Sequence, residues 1–132
     1  MIKAVIIDLD DTLCMTEQVS FEMENETLRR MGRPPMPRAI HQQTWGKPLF
    51  EIITTRSPGV NAAAFEQLFT KVIETYVSDS RLDSISPENF KALDTFVKEG
   101  RLLFVLTSRT HGELKHLLEP DHMLAGHITA FY

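Results

Sequence analysis

Apolar residues follow two different spacings along this chain, and each change of spacing marks an element. Residues 2–9, Ile-Lys-Ala-Val-Ile-Ile-Asp-Leu, are short, β-rich and apolar on both faces, the pattern of a buried parallel strand. That run ends in a polar knot, Asp8-Leu9-Asp10-Asp11-Thr12. A helix is predicted over 16–31 with Thr16 as its cap. Glu17, Glu22, Glu24 and Glu26 lie early and Arg29 and Arg30 late, which complements the helix dipole. Gly32 stops it, and Pro34, Pro35 and Pro37 forbid its continuation. Short helices are predicted over 38–44 and 48–55, separated at Gly46. Asn61 caps the clearest amphipathic run, with Phe65, Leu68, Phe69, Val72, Ile73, Tyr76 and Val77 at helical spacing.

After residue 83 the rhythm changes. Ser86 and Pro87 start a helix that buries Phe90, Leu93, Phe96 and Val97 and ends at Gly100. Residues 102–106 read as a second buried strand, ending at Thr107-Ser108. Thr110-x-x-Glu113 is a capping box for a helix carrying Leu114, Leu117 and Leu118, which Pro120 ends. A third strand is predicted over 127–131. Strand, helices, then helix, strand, helix, strand describes an α/β protein with βα units around a parallel sheet. Residues 16–83 form a helical block inserted after the first strand, so residues 1–15 and 84–132 belong together. There is no internal repeat or low-complexity tract.

Composition narrows the classes. The 132 residues carry 14 Lys and Arg against 18 Asp and Glu, a formal charge of −4, which argues against a nucleic-acid partner. Apolar stretches fall far short of the ~20 residues that span a membrane. The opening Met-Ile-Lys, with Asp8, Asp10 and Asp11 close behind, does not predict a signal peptide. Cys14 is the single cysteine, which fits a reducing compartment and a cytoplasmic location.

The chemistry gathers after the first strand. Ligands of open α/β sheets bind beyond the carboxyl ends of the strands. Side chains two apart share a side, so Asp8 and Asp10 can converge on one point. Two such carboxylates call for a cation or a proton between them. Mg²⁺, with phosphate and water as further ligands, meets that need.

Ile6-Ile7-Asp8-Leu9-Asp10-Asp11-Thr12-Leu13 resembles the first motif of the haloacid dehalogenase-like hydrolase superfamily, an apolar strand followed by Asp-x-Asp-x-Thr-Leu. Leu103-Phe104-Val105-Leu106-Thr107 resembles its second motif, and the helical block between them resembles its cap. The resemblance implies a Rossmann-like, three-layer parallel-sheet core with an inserted all-helical cap over 16–83. It implies Asp8 as nucleophile and Asp10 as general acid and base. Mg²⁺ would sit on the Asp8 carboxylate and the Asp10 carbonyl, and Thr107, Ser108 and Thr12 would serve the phosphoryl group. The acid at Asp10 points to phosphatases and phosphomutases rather than dehalogenases, acting on a small phosphorylated substrate. Asp11 replaces the Gly of many members, and a turn Asp tolerates unusual backbone angles.

Two later motifs of that family, a Lys and an acidic pair on a further strand, have no counterpart here. Lys115 lies within a helix and Asp121 precedes a strand in the wrong context. The core is therefore expected to be C-terminally incomplete, with an exposed edge on the first strand, and the chain alone a weak Mg²⁺ binder and a slow enzyme or none. A phosphomutase or a non-catalytic binding module are the alternatives. A receiver-type phosphoacceptor domain lacks the Asp it would need after a middle strand.

Residues 29–56 hold Arg29, Arg30, Arg33, Arg38, Lys47 and Arg56 against one acid, Glu51. A solvated face with dipole-complementing bases is the simpler account, and a cap surface for an anionic substrate the sharper one. Trp45-Gly46-Lys47-Pro48 resembles the family's cap loop, which makes Lys47 the candidate substrate contact. His41, His111, His116, His122 and His127 lack metal-site spacing and read as surface or hydrogen-bonded imidazoles. Cys14 reads as local packing.

Overall fold

The computed structural model describes residues 1–132. In chain order the elements are β1 (Ala4–Asp8), α1 (Thr16–Arg30), α2 (Arg38–Thr44), α3 (Leu49–Arg56), α4 (Ala62–Ser78), α5 (Pro87–Lys98), β2 (Leu102–Leu106), α6 (His111–Leu114), a 3-10 turn (Lys115–Leu117) and β3 (Ala130–Phe131). The backbone divides into two compact units, Met1–Met15 with Ser84–Tyr132, and Thr16–Asp83.

The first unit is built on a parallel sheet in the order β1-β2-β3. Val5, Ile7, Leu103, Val105 and Phe131 share the face that packs with Leu93 and Phe96 of α5 and with Leu114, Leu117 and Leu124. Ser86 caps α5 by accepting from the Asn89 amide, with Pro87 at the first turn. Thr110 and Glu113 form the expected capping box.

Burial of both strand faces does not hold. By register Ile6 lies beside Phe104 and Asp8 beside Leu106 on the other face, where Ile6 is 70% and Leu106 58% exposed. The helices of this unit pack against one face only, and β1 is an edge strand. Two elements are also shorter than their patterns suggest. The helix after Thr110 tightens to 3-10 at Lys115, because Leu114 and Leu117, three apart, both turn into the core and Pro120 bars a longer helix. The third strand begins only at Ala130, because the amides of His127 and Ile128 already donate to the Leu124 carbonyl.

The second unit is four helices around Leu28, Ile53, Phe65 and Val72, all fully buried. Asn61 caps α4 by accepting from the Ala64 amide, and Phe65, Phe69, Val72 and Tyr76 are its buried stripe. Phe65 and Phe69 stack with ring centroids 5.5 Å apart. Thr16 is the first residue of α1 rather than its cap. One sequence expectation fails here in an informative way. Glu24 and Arg56 are not solvated dipole complements; both are buried.

Candidate active site

The strand-end loop of the first unit is held from inside by its apolar residues. Leu9, Leu13 and Cys14 are buried, and the Leu13 and Cys14 amides both donate to the Leu9 carbonyl. This tight turn leaves the intervening polar residues outward. Asp11 supplies the left-handed residue it requires, with φ of 58°. The Asn89 side-chain amide donates to the carbonyls of Thr12 (2.9 Å) and Leu13 (3.1 Å), tying the loop to the first turn of α5. Two such bonds are worth roughly 1–3 kcal/mol together.

Asp8 is the last residue of β1, and its register partner is Leu106, the last residue of β2. Thr107 therefore follows directly on the residue opposite Asp8, and both motifs leave the sheet at the same end. The Thr12 hydroxyl lies 3.5 Å from an Asp8 carboxylate oxygen. The Thr107 hydroxyl accepts from the Arg109 amide at 3.2 Å, and its own amide donates to the Tyr132 carbonyl. Ser108 stands in the turn between them.

Arg109 reaches across to Asp10. Its Nη2 donates to Asp10 Oδ1 at 2.6 Å, and its Nε lies 3.2 and 3.3 Å from the two carboxylate oxygens. Arg109 and Asn89 are the residues that sequence reasoning missed. A base two positions beyond Thr107 was a readable signal for the first. Nothing local marked Asn89, whose partners lie 76 and 77 residues away. Just beyond, Glu113 is held below the usual carboxylate range, first by the Thr110 hydroxyl and then by the Thr110 amide, which fixes the start of α6.

Asp8 and Asp10 are hard oxygen donors of the kind Mg²⁺ takes, and an ion that keeps several of its waters needs few protein ligands. No group of three or more His, Cys, Asp and Glu side chains lies together to form a self-sufficient metal site. Lys47 belongs to the helical unit, in the turn between α2 and α3. Among the histidines, His41 is buried and paired on both ring nitrogens. Cys14 is buried in the core that anchors the loop.

A parallel sheet with helices packed on it and this strand-end pair of motifs defines a Rossmann-like α/β core, and comparison with known proteins gives its family. The sequence model of the haloacid dehalogenase-like hydrolases matches residues 5–126, so the chain belongs to that family. No match emerged among curated protein sequences. Among solved structures, a haloacid dehalogenase-like family hydrolase from Streptococcus pneumoniae superposes with a TM-score of 0.71 at 15% identity, covering 99% of this chain and 60% of its own. A protein assigned as a β-phosphoglucomutase from Thermotoga maritima gives 0.72 at 20% identity, covering 98% and 60%. CbbY from Rhodobacter sphaeroides, solved with xylulose-(1,5)bisphosphate, gives 0.64 at 17% identity, covering 99% and 63%. The fold is theirs, and this chain spans about 60% of the length of these structures. No helix is long and apolar enough to cross a membrane.

Proposed function

We infer that this chain carries the nucleophile half of a Mg²⁺-dependent phosphohydrolase acting on a small phosphorylated metabolite. One observation carries the reading: the parallel register that places Asp8 opposite Leu106, so that the Asp8-x-Asp10 loop and the Thr107-Ser108 turn leave neighbouring strands at the same end. Family membership supports it.

In this reading a carboxylate oxygen of Asp8 attacks phosphorus as the bond to the ester oxygen breaks, giving an aspartyl-phosphate. The protonated Asp10 carboxyl gives its proton to the leaving oxygen. Water then attacks the same phosphorus, Asp10 takes its proton, and inorganic phosphate leaves with Asp8 restored. Arg109 holds Asp10 chiefly through Oδ1, and in this reading the proton travels on Oδ2, which Arg109 contacts only through Nε at 3.3 Å. The Thr107 hydroxyl and Ser108 amide would take the phosphoryl oxygens as charge develops on them. Thr12 would steady Asp8. Mg²⁺ would be held by the Asp8 carboxylate and the Asp10 carbonyl, and would neutralise phosphoryl charge. Lys47 would meet the anionic substrate from the cap. The single, buried Cys14 supports a reducing, cytoplasmic setting.

The fold likeness to a protein assigned as a β-phosphoglucomutase favours a second reading, in which a sugar hydroxyl replaces water as the second acceptor. A panel of small phosphate monoesters, assayed with Mg²⁺ and with EDTA on the polypeptide as its gene encodes it, tests both. Release of inorganic phosphate that EDTA abolishes is the expected result. Phosphate appearing only on a second sugar position would select the mutase, and metal-independent turnover would remove the reading altogether. The 132-residue chain by itself should show little of this activity. Lys47→Ala is expected to raise KM for the best substrate several-fold, and unchanged KM and kcat would take Lys47 out of the site.

A further inference from the structure

The helical unit contains an ion network that the phosphoryl chemistry does not use. Glu24 and His41 are fully buried and Arg56 is 3% exposed. Glu24 accepts both of its contacts with Arg56 from Nη1, at 2.7 and 2.9 Å, and a further one from the Ser20 hydroxyl. His41 lies between two carboxylates, with Nδ1 2.6 Å from Glu17 and Nε2 3.1 Å from Glu24. Arg38 closes the chain by pairing with Glu17. Residues of α1, α2 and α3 thus meet through charge where apolar side chains of equal volume would hold as well or better.

Its outlet is Thr44, the last residue of α2. Arg56 Nε donates to the Thr44 hydroxyl at 2.8 Å and Nη2 to the Thr44 carbonyl at 3.0 Å. The same carbonyl accepts from the Lys47 amide at 3.4 Å. The next residue, Trp45, sets its ring 5.3 Å from the His41 ring. Gly46 then takes φ of 84°, turning the chain toward Pro48 and α3. The turn Trp45-Gly46-Lys47-Pro48 therefore leaves α2 from a residue clamped by the buried fork and rests on a buried imidazole.

We propose that Arg56, oriented by Glu24, is a positioning residue that sets the conformation of the Trp45-Gly46-Lys47-Pro48 turn. Its bearing on substrate rests on the reading of Lys47 given above; the ordering of the turn itself stands on the helical unit alone. Lys cannot take the place of Arg56, because a single ammonium cannot reach the Thr44 hydroxyl and carbonyl as a planar fork while it also holds Glu24.

Trp45 is the only tryptophan in the chain, so its fluorescence reports on this turn alone. The experiment compares the whole chain with Arg56→Lys, Thr44→Val and Thr44→Ser by far-UV circular dichroism, Trp45 emission and acrylamide quenching. Trp45 is 36% exposed, so a released turn should raise the quenching constant about twofold. Arg56→Lys and Thr44→Val should show that rise with helix content unchanged, and Thr44→Ser, which restores the hydroxyl, should return it to the original value. Wild-type quenching in folded Thr44→Val overturns the proposal, and so does a rise that Thr44→Ser fails to reverse. If Arg56→Lys does not fold, the two Thr44 variants decide alone. A purely structural network would lower the melting temperature and leave Trp45 as shielded as before. Because no substrate enters the measurement, failure here and failure of the Lys47 reading are separate results.

Discussion

In the polypeptide as its gene encodes it, replacing Asp8 by Asn is expected to cut phosphate-monoester hydrolysis by about 10³-fold or more, as loss of a covalent nucleophile does. The substitution is nearly isosteric, and Asp8 ends an edge strand whose backbone pairing with β2 does not involve the side chain. The fold should therefore persist while the attacking oxygen becomes a neutral amide. Beryllofluoride with Mg²⁺, which mimics an aspartyl-phosphate, should be captured by the wild type and not by Asp8→Asn. Asp10→Asn separates the two roles: turnover should fall about 10²–10⁴-fold, the usual reach of a general acid and base, while capture survives. Residual hydrolysis by Asp8→Asn near the wild-type rate would mean that water attacks directly and that no covalent intermediate forms.

The second large effect lies in the helical unit. Glu24→Ala is expected to destabilise it by about 3–5 kcal/mol, the cost of leaving one partner of a buried pair behind. Four contacts end on this carboxylate: two from Arg56, one from His41 and one from the Ser20 hydroxyl. Its removal leaves the Arg56 cation, 3% exposed, without its paired carboxylate and facing the neutral Thr44 hydroxyl and carbonyl. Glu26 is the control two residues on. Its carboxyl is held below the usual range, first by the Arg30 hydrogen bond, yet its partners Arg29 and Arg30 stand largely in water. Glu26→Ala should cost no more than about 0.5 kcal/mol. Urea denaturation followed through Trp45, which lies in this unit, reads both values. A loss below about 1 kcal/mol for Glu24→Ala would show that the unit relaxes to solvate Arg56, which the burial argument does not allow.

Much of this was legible along the chain, and the reasons are local. Caps need only a side chain and an amide three residues on, so Asn61, Ser86 and the Thr110–Glu113 box were readable as written. The α4 stripe follows from helical spacing, and the parallel sheet from short apolar runs separated by helices. The pair of motifs at Asp8 and Thr107 was visible because each is a strand followed at once by its own chemistry. Glu24 was partly legible in retrospect: it falls in the buried stripe of Val19, Met23, Thr27 and Leu28. A carboxylate at such a position requires a buried partner.

The sequence by itself determined which elements form, most of their boundaries (the ends of α6 and the start of β3 excepted), and which end of which strand carries the acids, because those follow from contacts within a few residues. Only the tertiary structure decided that Arg109 grips Asp10 from 99 residues away, that Asn89 ties down the Asp8 loop, and that Arg56 is buried on Glu24. It also decided that Ile6 and Leu106, apolar in a strand pattern, face outward. Whether a charge is solvated or a strand face covered depends on which element arrives beside it, and that neighbour is chosen by the packing of the whole unit.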